Sequence, residues 1–185
     1  RIQKTLDRLQ SQNKLILEAA GYGILGLDLE GGHTFVNPAA AKMLGYEAGE
    51  LIGKPSHALW HHTRADGTPY PREECHIYAA YKKGVVTHSD TEVFWKKDGT
   101  SFPVEYTSTP IQEGGKVTGA VVTFSDITTR RKMESELESK LEDLKQFREV
   151  TIDRENKMIE LKKEINKLSE ELGRPAPHDL SFLKS

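Results

Sequence analysis

Histidine and cysteine gather in one short stretch of this chain. Trp60-His61-His62 is followed, after an interval of 12 residues, by Cys75-His76. Imidazole and thiolate are the side chains that hold soft-to-borderline transition metals, so His61, His62, Cys75 and His76 could in number supply four ligands. Their spacing argues against it. Two adjacent pairs set so far apart match no zinc pattern, and neighbouring side chains on a helix diverge. The expectation is therefore no metal site, with these groups satisfied by local hydrogen bonds. Cys75 reads as a small buried apolar residue. A redox role needs a low thiol pKa, and the acidic neighbours Glu73 and Glu74 would push it the other way.

A second group of residues could line a small-molecule pocket. Ile77, Ala80 and Tyr81 share one face of an expected helix over 72–83, with His76 on the same helix and Trp60 earlier in the sequence. Phe94, Phe102, Val104 and Tyr106 lie on strands that would face them. The same residues would equally make a plain hydrophobic core. For catalysis the sequence offers little: it has no glycine-rich phosphate loop and no nucleophile elbow.

The elements that must carry these residues follow from local pattern. Gly23–Leu29 and His33–Val36 read as strands around the turn Glu30-Gly31-Gly32. Asn37-Pro38 is a helix start, with a side-chain cap and then proline in the first turn, and Gly45 ends that helix. A short helical turn over 47–51 follows, closed by Gly53 and Pro55. Residues 56–71 read as irregular, broken by Asp66-Gly67, Pro69 and Pro71. Three strands come next: Val86–Trp95, Ser101–Ile111 and Val117–Ser125. Lys97-Asp98-Gly99 and the stretch 112–116 provide the hairpin turns between them. The whole is an α+β fold: a five-stranded antiparallel sheet over 21–126 with short helices on one face.

Helices flank it on both sides. Residues 1–20 place Ile2, Leu6, Leu9, Asn13 and Ile16 at steps of 4, 3, 4 and 3, a coiled-coil seam with a polar Asn13. From Met133 the chain falls into unbroken heptads over the helix expected at 127–172. Leu137, Leu144, Thr151, Met158, Ile165 and Leu172 occupy one seam position. Met133, Lys140, Phe147, Arg154, Leu161 and Leu168 occupy the other. Such spacing specifies a left-handed coiled coil about 70 Å long. A helix of this kind cannot bury its seam alone, so a homodimer is expected. The charged seam positions Lys140 and Arg154 weaken the packing and leave room for two arrangements. Residues 173–185 read as a flexible tail; there His178-Asp179-Leu180, preceded by Pro175 and Pro177, is a poor phospho-acceptor sequence.

Composition narrows the class. Hydrophobic residues make up 36% and charged ones 29%, and the formal net charge is −2, so no global field favours nucleic acid or an anionic membrane. The single cysteine rules out an intrachain disulfide and suits a reducing compartment; a cytoplasmic location is expected. No run of 18 apolar residues is present, so no membrane contact is expected in this segment. The start at Arg1, in mid-helix by its pattern, suggests a piece of a longer protein.

Taken together, these motifs resemble the PAS sensory domain over roughly residues 11–130. The likeness is carried by Gly23-Ile24, by the run from Phe35 to Ala40, by Leu44-Gly45-Tyr46 and Glu50-Leu51-Ile52-Gly53-Lys54, and by the hairpin from Lys97 to Glu105. Asp126-Ile127-Thr128 closes the last strand in the same way, and the segment from His62 to Cys75 looks like a loop of one bacterial and archaeal subset. The resemblance implies a sensor or dimerisation module upstream of a histidine kinase, a cyclic-di-nucleotide enzyme or a regulator. It implies that Asp126, Ile127 and Thr128 pass a change in the sheet to a parallel coiled coil leading to an output domain. It also implies three ligand states for the pocket: none, a small metabolite, or haem with His76 as the axial ligand. The photoreactive flavin branch sets its cysteine in Asn-Cys-Arg, which Glu74-Cys75-His76 lacks.

Overall fold

Period-two burial builds the sheet. In the strand Ser101–Glu113 the side chains of Phe102, Val104, Tyr106 and Ser108 are buried and those between them are not. Alternate residues of a strand face opposite sides, so one face of this strand enters the core. The computed structural model describes residues 2–180, without the side chains of Ile2, Gln3, Thr5, Leu6, Asp7, Gln10, Asn13 and Lys14. Five strands appear: β1 (Gly23–Leu27), β2 (His33–Val36), β3 (Thr87–Trp95), β4 (Ser101–Glu113) and β5 (Lys116–Asp126). They form one sheet in the order β2-β1-β5-β4-β3, with every pairing antiparallel. This is the five-stranded α+β fold that the sequence pattern specifies.

The helices are α1 (Ile2–Ala19), α2 (Pro38–Leu44), α3 (Ala48–Leu51), α4 (Ser56–Trp60), α5 (His76–Lys83) and α6 (Thr128–Glu171). The short helices α2 to α5 supply Leu44, Leu51, Trp60, Ile77, Ala80 and Tyr81 to the core; the strands supply Leu25, Phe94, Phe102, Tyr106 and Phe124. Asn37 ties three elements together. Its Oδ1 accepts from the backbone N–H of Ile24 (2.8 Å) and of Ala40 (2.9 Å), and its Nδ2 donates to the carbonyls of Leu17 (3.1 Å) and Tyr22 (2.9 Å). Gly119 sits where β5 passes the end of β1: a Cβ there would lie 2.2 Å from the Leu27 carbonyl oxygen.

Two local expectations are corrected. Residues 56–60, expected to be irregular, form α4, because Pro55 leads the chain in and the breakers Asp66-Gly67 lie beyond its end. The helix expected over 72–83 is split. Arg72–Glu74 is a 3-10 turn, Cys75 is extended (φ −66°, ψ 126°), and α5 begins at His76.

The chain divides into two units, residues 1–131 and 132–185. Within the second, the apolar seam side chains of α6 are exposed, from Ile165 at 44% to Leu172 at 73%. Gly173 (φ 69°) ends the helix, with Arg174 N–H donating to the Ser169 carbonyl at 2.9 Å. Asn166 then holds the backbone of His178 through both its amide atoms, at 2.7 and 3.0 Å. Of the N-terminal seam, Leu9 and Ile16 are exposed, while the side chains of Ile2, Leu6 and Asn13 lie outside the described residues. No described helix is long and apolar enough to cross a membrane.

Candidate functional site

A buried polar chain runs through the first unit. Four segments supply it. α4 and the residue that ends it contribute His57 and His61, four residues apart and so on one face. The extended residue before α5 contributes Cys75. β3 contributes Glu92, and the 61–70 loop contributes Tyr70. β3 bulges between Ser89 and Glu92, where its register against β4 shifts. A bulge re-aims the side chain that follows it, and here Glu92 enters the cluster.

Glu92 is the hub. Its Oε2 accepts from His61 Nε2 at 2.7 Å and from the Tyr106 hydroxyl at 2.7 Å. Its Oε1 accepts from the Tyr70 hydroxyl at 3.1 Å and lies 3.1 Å from His76 Nδ1. On its other side His61 Nδ1 meets Cys75 Sγ at 3.2 Å. His57 Nε2 bonds the Tyr70 carbonyl at 2.8 Å, which leaves His57 Nδ1 buried without a hydrogen-bond partner. One ligand atom each from His57, His61 and Cys75 lies within 4.8 Å of the other two.

Electrostatics follow from this geometry. Burial opposes charge on Cys75, His61 and Glu92, and their partners outweigh it. Burial would raise the Cys75 thiol, yet the His61 ring hydrogen-bonded to it brings it below its ordinary value. Of the two rings near the sulfur, His57 and His61, only His61 makes the hydrogen bond. Burial would lower His61, but Cys75 and Glu92 lift it to about 9. Burial would raise Glu92, but His61 and Tyr106 hold it down to about 2. At neutral pH the chain is a thiolate, an imidazolium and a carboxylate in series. This corrects the expectation that Glu73 and Glu74 govern the thiol: both are exposed, Glu74 is paired with Arg64, and His61 faces the sulfur.

The remaining residues that the sequence singles out fall into place around this cluster. Trp60, Ile77, Ala80, Tyr81, Phe94, Phe102, Val104 and Tyr106 are all buried in one packed group. The Trp60 ring stacks on His61 and lies 4.5 Å from Phe94. His76 has a half-exposed side chain and faces Glu92, not the apolar interior. His62 diverges from His61 and stacks on Trp95 at 5.6 Å. Four contributors carry no mark in the sequence reading: His57, Tyr70, Glu92 and His33. His33 donates Nδ1–H to the Lys54 carbonyl (2.7 Å) and accepts the Trp60 indole N–H at Nε2 (2.9 Å), so it is a neutral ring, and burial lowers its pKa. The signal for His57 is present as His57-Ala-Leu-Trp-His61, a helical i, i+4 pair, once 56–60 is read as a helix.

A cleft of about 310 Å³ opens over the cluster, lined by His61, Arg64, Asp66, Tyr70, Thr91 and Glu92 among others. A second hollow of about 390 Å³ lies away from it, over Tyr22, Ile24, His88, Thr107 and Thr123. Among the described residues, no comparable cluster of histidine and cysteine lines it.

The path from sheet to helix is short. Asp126 Oδ1 accepts from the Thr128 N–H at 2.8 Å and so caps α6. Ile127 is buried, and its N–H donates to the Pro103 carbonyl at 3.0 Å. In the first turn Arg130 pairs with Glu105 at 2.9 Å, and Arg131 donates to the Asp90 carbonyl in the β3 bulge.

Comparison with known proteins places this architecture. The sequence profile described as PAS domain matches residues 21–129. Two curated relatives, both from Escherichia coli, carry a similar stretch. The Probable diguanylate cyclase DgcE is 29% identical over 133 residues, 71% of this chain and 12% of that protein. The Signal transduction histidine-protein kinase AtoS is 28% identical over 131 residues, 70% of this chain and 20% of that protein. The chain thus spans a fifth or less of either relative. Among solved structures, the PAS domain of an HTR-like protein from Haloarcula marismortui superposes with a TM-score of 0.53 at 19% identity, covering 69% of this chain and 98% of that one. An RNA-binding Light-Oxygen-Voltage receptor superposes with a TM-score of 0.57 at 24% identity, covering 72% of this chain and 37% of that one. Both likenesses are of fold.

Proposed function

This chain belongs to the PAS domain family over residues 21–129, and we propose that it senses through its buried cluster and reports through α6 as a homodimer. The domain is homologous to sensor domains of signalling proteins. The finer reading adds an output domain beyond α6, of the histidine kinase or diguanylate cyclase kind, and a cytoplasmic setting suited to a free cysteine.

One observation carries the reading: sheet and output helix are joined without a linker. β5 ends at Asp126, Ile127 is buried, and α6 begins at Thr128. The Arg131 contact to Asp90 reaches the β3 bulge two residues before Glu92. A change of charge or occupancy at Glu92, His61 or Cys75 would move the bulge, and Arg131 would carry the motion into the first turn of α6. Two packings of the seam, differing by a few kcal/mol, then suffice for a switch. The exposed run Leu137, Leu144, Phe147, Met158, Leu161, Ile165, Leu168 and Leu172 supports a partner helix, and parallel pairing would bring two copies of the same seam together.

Light scattering on the full chain tests this directly. A dimer mass at micromolar concentration is expected, falling to a monomer mass in a double Leu144→Asp, Leu161→Asp variant that keeps its sheet signal. A monomer in the unaltered chain would refute the reading.

The packing of Trp60 and Phe94 at 4.5 Å between helices and sheet favours a second reading as well. In that reading the apolar interior holds no organic ligand and the domain is a dimerisation scaffold. A metabolite panel producing a reproducible thermal shift would count against it.

A further inference from the structure

We propose that His57, His61 and Cys75 form a binding site for a transition-metal ion of the zinc class. The inference goes beyond the sensory reading and holds whether or not the chain dimerises.

The donor atoms are already gathered. Zinc binds imidazole nitrogen at about 2.0–2.1 Å and thiolate at about 2.3 Å. Tetrahedral angles then set neighbouring ligand atoms roughly 3.3–3.7 Å apart. His61 Nδ1 and Cys75 Sγ stand 3.2 Å apart, and all three ligand atoms lie within 4.8 Å of one another. Closing the triangle on an ion takes shifts of about an ångström or less at these bond lengths.

The outer shell is in place too. Histidine ligands are commonly oriented by a hydrogen bond from the ring nitrogen that does not touch the metal. His61 Nε2 is held by the Glu92 carboxylate at 2.7 Å, and His57 Nε2 by the Tyr70 carbonyl at 2.8 Å. A carbonyl only accepts, so His57 carries its proton on Nε2 and a lone pair on Nδ1. That lone pair is buried and has no hydrogen-bond partner. A buried polar atom without a partner is costly. An ion at this point satisfies it, whereas a simple thiol–imidazole pair between Cys75 and His61 does not. Glu92 takes two further donors from Tyr70 and Tyr106, so its charge is fixed in position behind His61.

Binding balances in charge and protons. One proton leaves the Cys75–His61 pair, the sulfur bonds the ion as thiolate, and both histidines bind as neutral rings. The dication then faces one thiolate and one carboxylate. His62 and His76 take no part: the first stacks on Trp95 and the second is turned toward Glu92. Three protein ligands leave a fourth position for water or a small exogenous ligand, as in zinc sites that react and unlike closed structural ones.

The test uses the full chain, reduced, stripped with a chelator, and titrated with Co²⁺ as a spectroscopic probe and with Zn²⁺ against a chromogenic chelator. The expected result is one ion per chain, with a thiolate-to-cobalt charge-transfer band and the visible bands of four-coordinate cobalt. Cys75→Ser should abolish the charge-transfer band. His57→Gln should weaken Zn²⁺ at least about 100-fold, and Glu92→Gln about 10- to 100-fold. His62→Ala should leave affinity unchanged. Thermal unfolding of each variant, metal-free, separates lost ligation from lost fold. A cobalt spectrum without charge transfer, or Zn²⁺ affinity that is the same in His57→Gln as in the unaltered chain, overturns the proposal.

Discussion

Replacing Glu92 by glutamine keeps the shape of the side chain and removes its charge from the centre of the cluster. In the folded state Glu92 titrates at about 2, against an ordinary value of 4.5. A tenfold change in a proton-binding constant corresponds to about 1.4 kcal/mol, so the ionised group contributes about 3 kcal/mol at neutral pH, with some allowance for solvent screening. Its pKa is depressed, so that contribution is full above pH 4.5 and is lost as pH falls from 4.5 toward 2, because the unfolded chain takes up a proton that the folded one refuses. The glutamine also offers an amide where the Tyr70, Tyr106 and His61 donors expect a carboxylate. Glu92→Gln should therefore lose about 2–4 kcal/mol at pH 7, or roughly 10–20 °C in Tm for a domain of this size. The difference between the two proteins should shrink steadily below pH 4.5. Urea unfolding followed by tryptophan fluorescence across the acid and neutral range, on metal-free protein, measures both. A variant within about 0.5 kcal/mol of the unaltered chain at neutral pH, with the same slope in acid, would refute the reading of Glu92 as an ionised hub.

Two further substitutions probe the frame that positions the site. Asn37→Ala strips the hydrogen bonds to Ile24, Ala40, Leu17 and Tyr22 and leaves buried backbone groups unpaired; a loss of about 2–4 kcal/mol in urea is expected, with hydrogen exchange rising first at Ile24 and Ala40. Gly119→Ala forces a Cβ against the Leu27 carbonyl at 2.2 Å. Backbone cannot move aside cheaply, so about 1–3 kcal/mol of destabilisation is expected; a stability equal to that of the unaltered chain would show that the β1–β5 crossing is looser than described.

The order β2-β1-β5-β4-β3 explains why the site is where it is. The last strand in sequence pairs centrally, so the helix that leaves it starts beside the inner strands and not at an edge. β3, which carries Glu92, is an edge strand. Its free edge accommodates a bulge that an inner strand, hydrogen-bonded on both sides, would resist. The same bulge provides the Asp90 carbonyl that Arg131 reaches, which couples the cluster to the exit helix through one short segment.

Local chemistry alone determined much of this protein. Alternation in 101–107, the Asn37-Pro38 cap, Gly45 in the left-handed region and the heptads of 133–172 each act over a few residues, so each element was legible from its own stretch. The family likeness followed from their order. Tertiary structure alone decided the site. His57 and His61 come together only because 56–60 is helical, which the prolines and glycine around it obscured. Cys75 turns inward only because it is extended between two helical segments. Glu92 comes from a bulged strand 17 residues after Cys75. Beyond the i, i+4 pair of His57 and His61, these approaches have no period or spacing, because they are set by packing between elements distant in sequence. The pKa of a thiol likewise follows the group that faces it in space, His61, and not the glutamates beside it in the chain.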